Sequence, residues 1–177
     1  MGRVLVLGGA RSGKSGHSEE LIAVMANSPS EVRYIATSPP RVNDPEWEER
    51  IAVHRARRAP QWHTVETADV AMELRRERAV PTLVDDLGTW LTAQIDARQA
   101  WDGGPAALDD VLDDLVSAVC AYEGPLVIVT PEVGMGIVPP TRSGRMFRDL
   151  IGVLNSRLAE KCEKVVVVIA GIPLPLK

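Results

Sequence analysis

Eight residues near the start of the chain, Gly8-Gly9-Ala10-Arg11-Ser12-Gly13-Lys14-Ser15, match the pattern G-x-x-x-x-G-K-[ST] in full. Each fixed type has a chemical reason. Glycine lets backbone N–H groups turn inward and approach phosphate oxygens with no Cβ between them. A helix that opens at the end of the motif adds the partial positive charge of its N-terminus. Lys14 can reach the β- and γ-phosphates, and the Ser15 hydroxyl suits a Mg²⁺ ligand. The motif follows the apolar run Val4-Leu5-Val6-Leu7 and precedes a helical pattern with Leu21, Ile22 and Met25 on one face. A glycine turn with a chance lysine would lack that context, so the segment is expected to cradle a nucleoside triphosphate.

Such a loop works with a second acid that holds the magnesium-bound water. Asp85, which ends the short apolar run Leu83-Val84, is best placed, with Asp86 as the neighbouring alternative and a capping aspartate as the structural one. Asp85-Asp86-Leu87-Gly88 also fits D-x-x-G, a pattern of regulatory GTPases, but the chain has no Asn-Lys-x-Asp element to read guanine. Glu46, Arg50, His54 and Arg58 recur every four residues and share one face if helical; Glu46 and Arg50 read as a pair on a solvated surface, and His54 is the candidate for chemistry. Arg55, Arg57 and Arg58 crowd His54 with positive charge, which disfavours the imidazolium. A neutral imidazole among guanidiniums can attack an anionic phosphorus; the other reading is an ordinary surface histidine. His17 and His63 read as packing or local hydrogen-bonding residues.

The elements that must position these groups are legible as short apolar runs alternating with amphipathic stretches. Strands are expected at Val4–Leu7, Val32–Ala36, Pro81–Asp85, Leu126–Thr130 and Val165–Ile169, the last as a β-branched run covered on both faces. Helices are expected from Lys14 to about Met25, from Asp44-Pro45-Glu46 to about Arg57, from Leu87 to Gln99, over Leu108–Val119 and around Phe147–Leu158. A Gly- and Pro-rich loop spans Pro131–Ser143. The alternation implies an α/β fold, a mostly parallel sheet flanked by helices of the P-loop NTPase (RecA-like) kind, in a single domain over residues 1–177.

Composition sets the outer limits. At 177 residues, 45% of them apolar, the chain can bury a real core, and a net charge of −4 speaks against a nucleic-acid binder. That charge and the short length also weigh against a RecA-like ATPase that remodels nucleic acid or protein. No apolar run approaches the length of a membrane span, and no signal pattern opens the chain. Cys120 and Cys162 sit in apolar-periodic stretches and are expected to be buried structural thiols in a reducing cytoplasm.

Taken together, the motifs resemble the bifunctional adenosylcobinamide kinase/adenosylcobinamide-phosphate guanylyltransferase family of cobalamin biosynthesis. The segments that carry the likeness are Gly8–Ser15, Tyr34-Ile35-Ala36-Thr37-Ser38, Arg50-Ile51 with His54, Arg58–Trp62, and Thr64-Val65-Glu66. Glu132-Val133-Gly134-Met135-Gly136-Ile137-Val138-Pro139 is the most distinctive, followed by Arg145–Asp149 and Asn155. The resemblance implies phosphorylation of adenosylcobinamide with ATP or GTP, then transfer of GMP from GTP to give adenosylcobinamide-GDP. It implies that His54 carries GMP covalently, that Lys14 is catalytic, and that Arg55, Ala56, Arg57 and Arg58 line the GTP site. By the same likeness Ile35, Ala36, Thr37, Glu66 and Asp85 lie at the nucleotide, Ser15 and Asp85 hold Mg²⁺, and the protein is a homotrimer with sites near subunit boundaries. A simple P-loop small-molecule kinase without a covalent intermediate is the alternative. Met135 on its glycine-framed loop would suit a large apolar ligand such as a corrin. The sequence departs from the family pattern at Pro131, where Asn is usual, and at Asp86, Ala93 and Pro140.

Overall fold

The computed structural model describes residues 2–26, 31–38 and 59–177. Seven strands form one sheet: β1 (Arg3–Gly8), β2 (Arg33–Ala36), β3 (His63–Glu66), β4 (Thr82–Asp85), β5 (Leu126–Pro131), β6 (Lys164–Ile169) and β7 (Ile172–Pro175). Their order is β3-β2-β4-β5-β1-β6-β7, parallel throughout except for the antiparallel β6–β7 pair. The described helices are α1 (Lys14–Met25), α2 (Val70–Arg76), α3 (Leu87–Ala97), α4 (Asp109–Cys120) and α5 (Arg142–Lys161). The expected α/β architecture is therefore observed. The helix expected from Asp44 to about Arg57 lies outside the described residues.

Both sheet faces are covered, which is why the strands read as continuous apolar runs. Successive side chains of a strand point to opposite faces. Leu5 and Leu7 of β1, Ile35, Val84 and Ile128 join one core with α2 to α5, around the fully buried Trp90. Val4, Val6, Tyr34, Leu83, Val127 and Val129 face the other way and pack with Ile22 of α1. Side-chain caps mark where three helices begin: Asp69 accepts from the Met72 N–H, Asp86 from Thr89 and Thr141 from Gly144.

Besides a short 3-10 turn at Pro105–Leu108, the structure adds three elements that sequence patterning missed. β3 is largely exposed and polar, so it carries no apolar signal, and β7 contains two prolines, which argue against a strand unless it lies at an edge. Both are the outermost strands of the sheet. Helix α2 has only seven residues, too few to show a clear period. Two expectations are corrected. The valine run of β6 is only partly covered, with Val165 and Val168 buried but Ile169 exposed, because β7 beside it is exposed along its whole length. Cys120 is exposed at the end of α4, whereas Cys162 is buried and its thiol is pushed up to about 12 by that burial.

One buried charge organises the far end of β2. Arg33 is 2% exposed, and its guanidinium donates to the Glu73 carboxylate at 3.2 Å, the Tyr122 hydroxyl at 3.1 Å and the Glu77 carbonyl at 2.9 Å. These partners compensate the desolvation that an isolated buried cation would suffer. Strand β2 is thereby tied to α2 and to the end of α4.

Candidate active site

In parallel sheets ligands bind beyond the carboxyl ends of the strands. Strand register brings the candidate residues to that edge: Gly8 is opposite Pro131, Ala36 is opposite Asp85, and Ala36 is opposite Glu66. Thr37 follows Ala36 there, nearly fully buried, and its hydroxyl donates to the Asp86 carbonyl at 2.6 Å. The Ile35 side chain is fully buried in the core, so its contribution at this edge is limited to its backbone.

The segment Gly8–Ser15 leaves β1, loops, and enters α1. Ser12 N–H donates to the Gly9 carbonyl at 3.3 Å, and Gly13 sits at φ 92° as the residue before the helix. The Lys14 ammonium reaches back across the loop to the Gly9 carbonyl at 3.3 Å. The glycines divide into two groups. A Cβ on Gly9 would meet nothing within 4 Å, so this side of the loop is open, as close approach of a phosphate requires. A Cβ on Gly8 would lie 2.4 Å from the Ser12 hydroxyl and 2.9 Å from the Val168 carbonyl, and one on Gly13 would lie 3.2 Å from the Gly171 Cα. Close contact with the protein itself demands glycine at position 8, and at position 13 the positive φ does so, with the Gly171 contact adding to it. The Ser12 hydroxyl is buried and makes no hydrogen bond among the described residues. An orphaned polar atom inside such a loop is the condition a phosphate oxygen would relieve.

Opposite the loop, the two adjacent aspartates have separate tasks. The Asp85 carboxylate accepts from the Ser15 hydroxyl at 3.3 Å through one oxygen and from the Tyr34 hydroxyl at 2.6 Å through the other. Asp86 caps α3, accepting from the Thr89 N–H at 2.8 Å. The geometry thus favours Asp85 as the partner of Ser15 and assigns the capping role to Asp86. Gly88, the last position of the D-x-x-G match, allows the first turn of α3 to pack on Pro131, since a Cβ there would lie 2.7 Å from the proline ring. Tyr34 opens a segment that carries the family likeness, but only the structure gives its side chain a role, the hydroxyl donating to Asp85. Its signal was a tyrosine in a buried strand, whose hydroxyl must find a partner.

The distinctive Glu132–Pro139 loop leaves the sheet beside the phosphate loop, where the Glu132 N–H donates to the Gly8 carbonyl at 3.1 Å. Asn155 holds its root, accepting from the Thr130 hydroxyl at 2.6 Å and donating to the Pro131 carbonyl at 3.1 Å. Arg145 holds its far end by donating to the Pro139 and Pro140 carbonyls at 3.0 and 2.8 Å. Between these anchors Met135 and Ile137 are 84% and 96% exposed. An open cavity of about 770 Å³ lies next along the chain, lined by Thr92, Trp101, Asp102, Arg142, Ser143 and Phe147 among others. None of its lining residues belongs to Gly8–Ser15. Arg50, His54, Arg55, Ala56, Arg57 and Arg58 lie outside the described residues, while His63 is exposed at the start of β3.

A glycine-rich loop between the first strand and first helix of a mostly parallel sheet, with an acid facing its terminal serine, defines a P-loop nucleotide-binding protein. Residues 4–176 match the family described as cobinamide kinase / cobinamide phosphate guanyltransferase, and the chain belongs to that family. It is 41% identical to the bifunctional adenosylcobalamin biosynthesis protein CobP of Pseudomonas aeruginosa, over 99% of this chain and 97% of that protein. The corresponding CobU proteins of Salmonella typhimurium and Escherichia coli are 39% and 38% identical, each over 98% of this chain and 99% of the relative.

Proposed function

We propose that this protein runs both activities of its family from one nucleotide site. It is a cobinamide kinase and cobinamide phosphate guanylyltransferase of cobalamin biosynthesis. In the kinase step the aminopropanol hydroxyl of adenosylcobinamide attacks the γ-phosphorus of ATP or GTP, and the nucleoside diphosphate leaves. In the second step His54 attacks the α-phosphorus of GTP and pyrophosphate leaves. The phosphate of adenosylcobinamide phosphate then displaces His54 from GMP, giving adenosylcobinamide-GDP.

The observation that carries this reading is the pairing of Ser15 with Asp85 at the mouth of Gly8–Ser15, in a chain matched to the family from end to end. The loop amides, with Lys14, supply positive potential where charge builds on the transferred phosphate. A hydroxyl and a carboxylate 3.3 Å apart fit Mg²⁺, which takes few protein oxygens and completes its shell with water and phosphate. Bound there, Mg²⁺ would neutralise phosphate charge. Tyr34, by donating to the other Asp85 oxygen, turns the carboxylate toward Ser15. Glu66, Ala36 and Thr37 border the same edge, and the Arg55–Arg58 stretch is assigned to GTP by the family likeness.

The corrinoid is assigned to the Glu132–Pro139 loop, whose exposed Met135, Ile137 and Val138 lie on a segment rooted against Gly8. The whole chain acts as one domain, works in the cytoplasm and assembles as a homotrimer. The exposed Ile172, Leu174 and Leu176 on the open edge beyond β6 support an intersubunit contact. Among the described residues no helix is long and apolar enough to cross a membrane.

The test uses GTP carrying a radioactive α-phosphorus, incubated with protein and Mg²⁺ and then denatured. An acid-labile, base-stable label on the wild type that disappears in His54→Ala is the expected result. A protein that phosphorylates cobinamide yet never forms this adduct would be the simple kinase instead.

A further inference from the structure

We propose that the turn joining β6 to β7 is a positioning element of the phosphate loop, in which the Gly171 N–H orients the Gly13 N–H toward a bound triphosphate. The Gly171 N–H donates to the Ser12 carbonyl at 2.8 Å. That carbonyl and the Gly13 N–H belong to one peptide unit, and the unit is trans. In a planar trans peptide the C=O and N–H point in opposite directions, so holding the carbonyl against the turn turns the N–H away from it. The orientation of one donor in the cradle is therefore set from behind, by a residue far away in sequence.

Two close approaches accompany this hydrogen bond. The Gly171 Cα is 3.2 Å from where a Gly13 Cβ would stand, and the Val168 carbonyl of β6 is 2.9 Å from where a Gly8 Cβ would stand. The loop thus rests on β6 and its turn at both ends. The turn itself is well defined: Ala170 and Gly171 adopt φ 51° and 79° between the paired residues Ile169 and Ile172. Positive φ at both central residues is the mark of a tight hairpin whose twist matches its strands. All four residues of β7 are exposed, so packing into the core does not explain why its turn is docked. What the turn touches is the phosphate loop.

This inference rests on the assignment of Gly8–Ser15 to a triphosphate. It is tested by replacing only the Gly171 N–H. The native Cys162 permits joining residues 1–161, as a thioester, to a synthetic segment Cys162–Lys177 in which glycolic acid replaces Gly171. The ester keeps the backbone shape and adds no Cβ. A control ester at Leu176 removes the N–H that donates to the Val165 carbonyl at 2.8 Å within the same hairpin. The dissociation constants of the full-length products for MgATP and MgGTP, and the unfolding midpoint without nucleotide, are measured beside those of the all-amide product. The ester at Gly171 is expected to weaken triphosphate binding roughly 3- to 10-fold, the range for loss of one hydrogen bond. The ester at Leu176 is expected to lower the midpoint and leave affinity unchanged. Equal affinities of the Gly171 ester and the all-amide protein, or an equal loss from the Leu176 ester, would overturn the proposal. If the all-amide product bound neither triphosphate, the phosphate-loop assignment would fall with it, and that result is distinct from the other two.

Discussion

Lys14 and Ser15 are adjacent in sequence but face different tasks. The ammonium of Lys14 spans the loop to the Gly9 carbonyl, and the hydroxyl of Ser15 turns to Asp85. A bound γ-phosphate would draw Lys14 from that carbonyl, because a charge-assisted bond to phosphate is stronger than one to a neutral oxygen. Lys14→Ala is expected to slow phosphorylation of cobinamide by about 10²-fold or more, the usual cost of losing one group that stabilises developing negative charge. Near-normal phosphoryl transfer in that variant, measured by product formation, would remove Lys14 from the chemistry. At this scale the motif was fully legible, whereas the reasons for its glycines were not. Gly9 keeps one side of the loop open, as the proposed phosphate approach needs; contacts with Ser12 and Val168 account for Gly8, and a positive φ with the Gly171 contact accounts for Gly13.

At the level of elements, two neighbouring aspartates serve a strand end and a helix start. Asp85 closes β4, and Asp86 caps α3. Their substitutions should separate cleanly. Asp86→Ala removes the cap and is expected to cost about 1 kcal/mol of stability in urea unfolding. Asp85→Asn keeps the side-chain shape and is expected to leave that midpoint close to wild type while abolishing most Mg²⁺-dependent turnover. The reverse pattern would exchange the two roles. Sequence alone ranked Asp85 first from its place at the end of an apolar run, but no pattern distinguishes adjacent carboxylates without the direction of each side chain. Likewise the D-x-x-G glycine proved to be a packing residue, since Gly88 meets Pro131 from a distant strand.

For the whole molecule, β7 is an exposed apolar edge that the proposed trimer would cover. Ile172, Leu174 and Leu176 are 62%, 45% and 64% exposed on an edge that no further strand covers among the described residues. Two prolines in β7 oppose backbone pairing with another strand, so a partner on this edge would meet its exposed apolar side chains instead. Leu174→Lys is expected to shift sedimentation of the proposed trimer toward monomer. A trimer that persists unchanged would place the interface elsewhere. The same hairpin docks on the phosphate loop through Gly171, so assembly and nucleotide binding would share one element.

Residue types and their spacing were enough for the class of chemistry and the class of fold. Phosphate binding is written locally, in one strand, one glycine loop and one helix start, and buried parallel strands announce themselves as apolar runs. The family likeness carried the rest of the assignment, because His54 and its arginines stood open between nucleophile and surface cluster on charge alone. Whatever depends on distant segments meeting came from the folded chain. It turned Asp85 to Ser15 with Tyr34 as its second partner, set Asp86 to capping, tied Arg33 to Glu73 and Tyr122, and placed the β6–β7 turn behind the phosphate loop. The edge strands β3 and β7 needed it too, since a strand covered on few sides has no reason to be apolar, and only sheet order shows where the edges are.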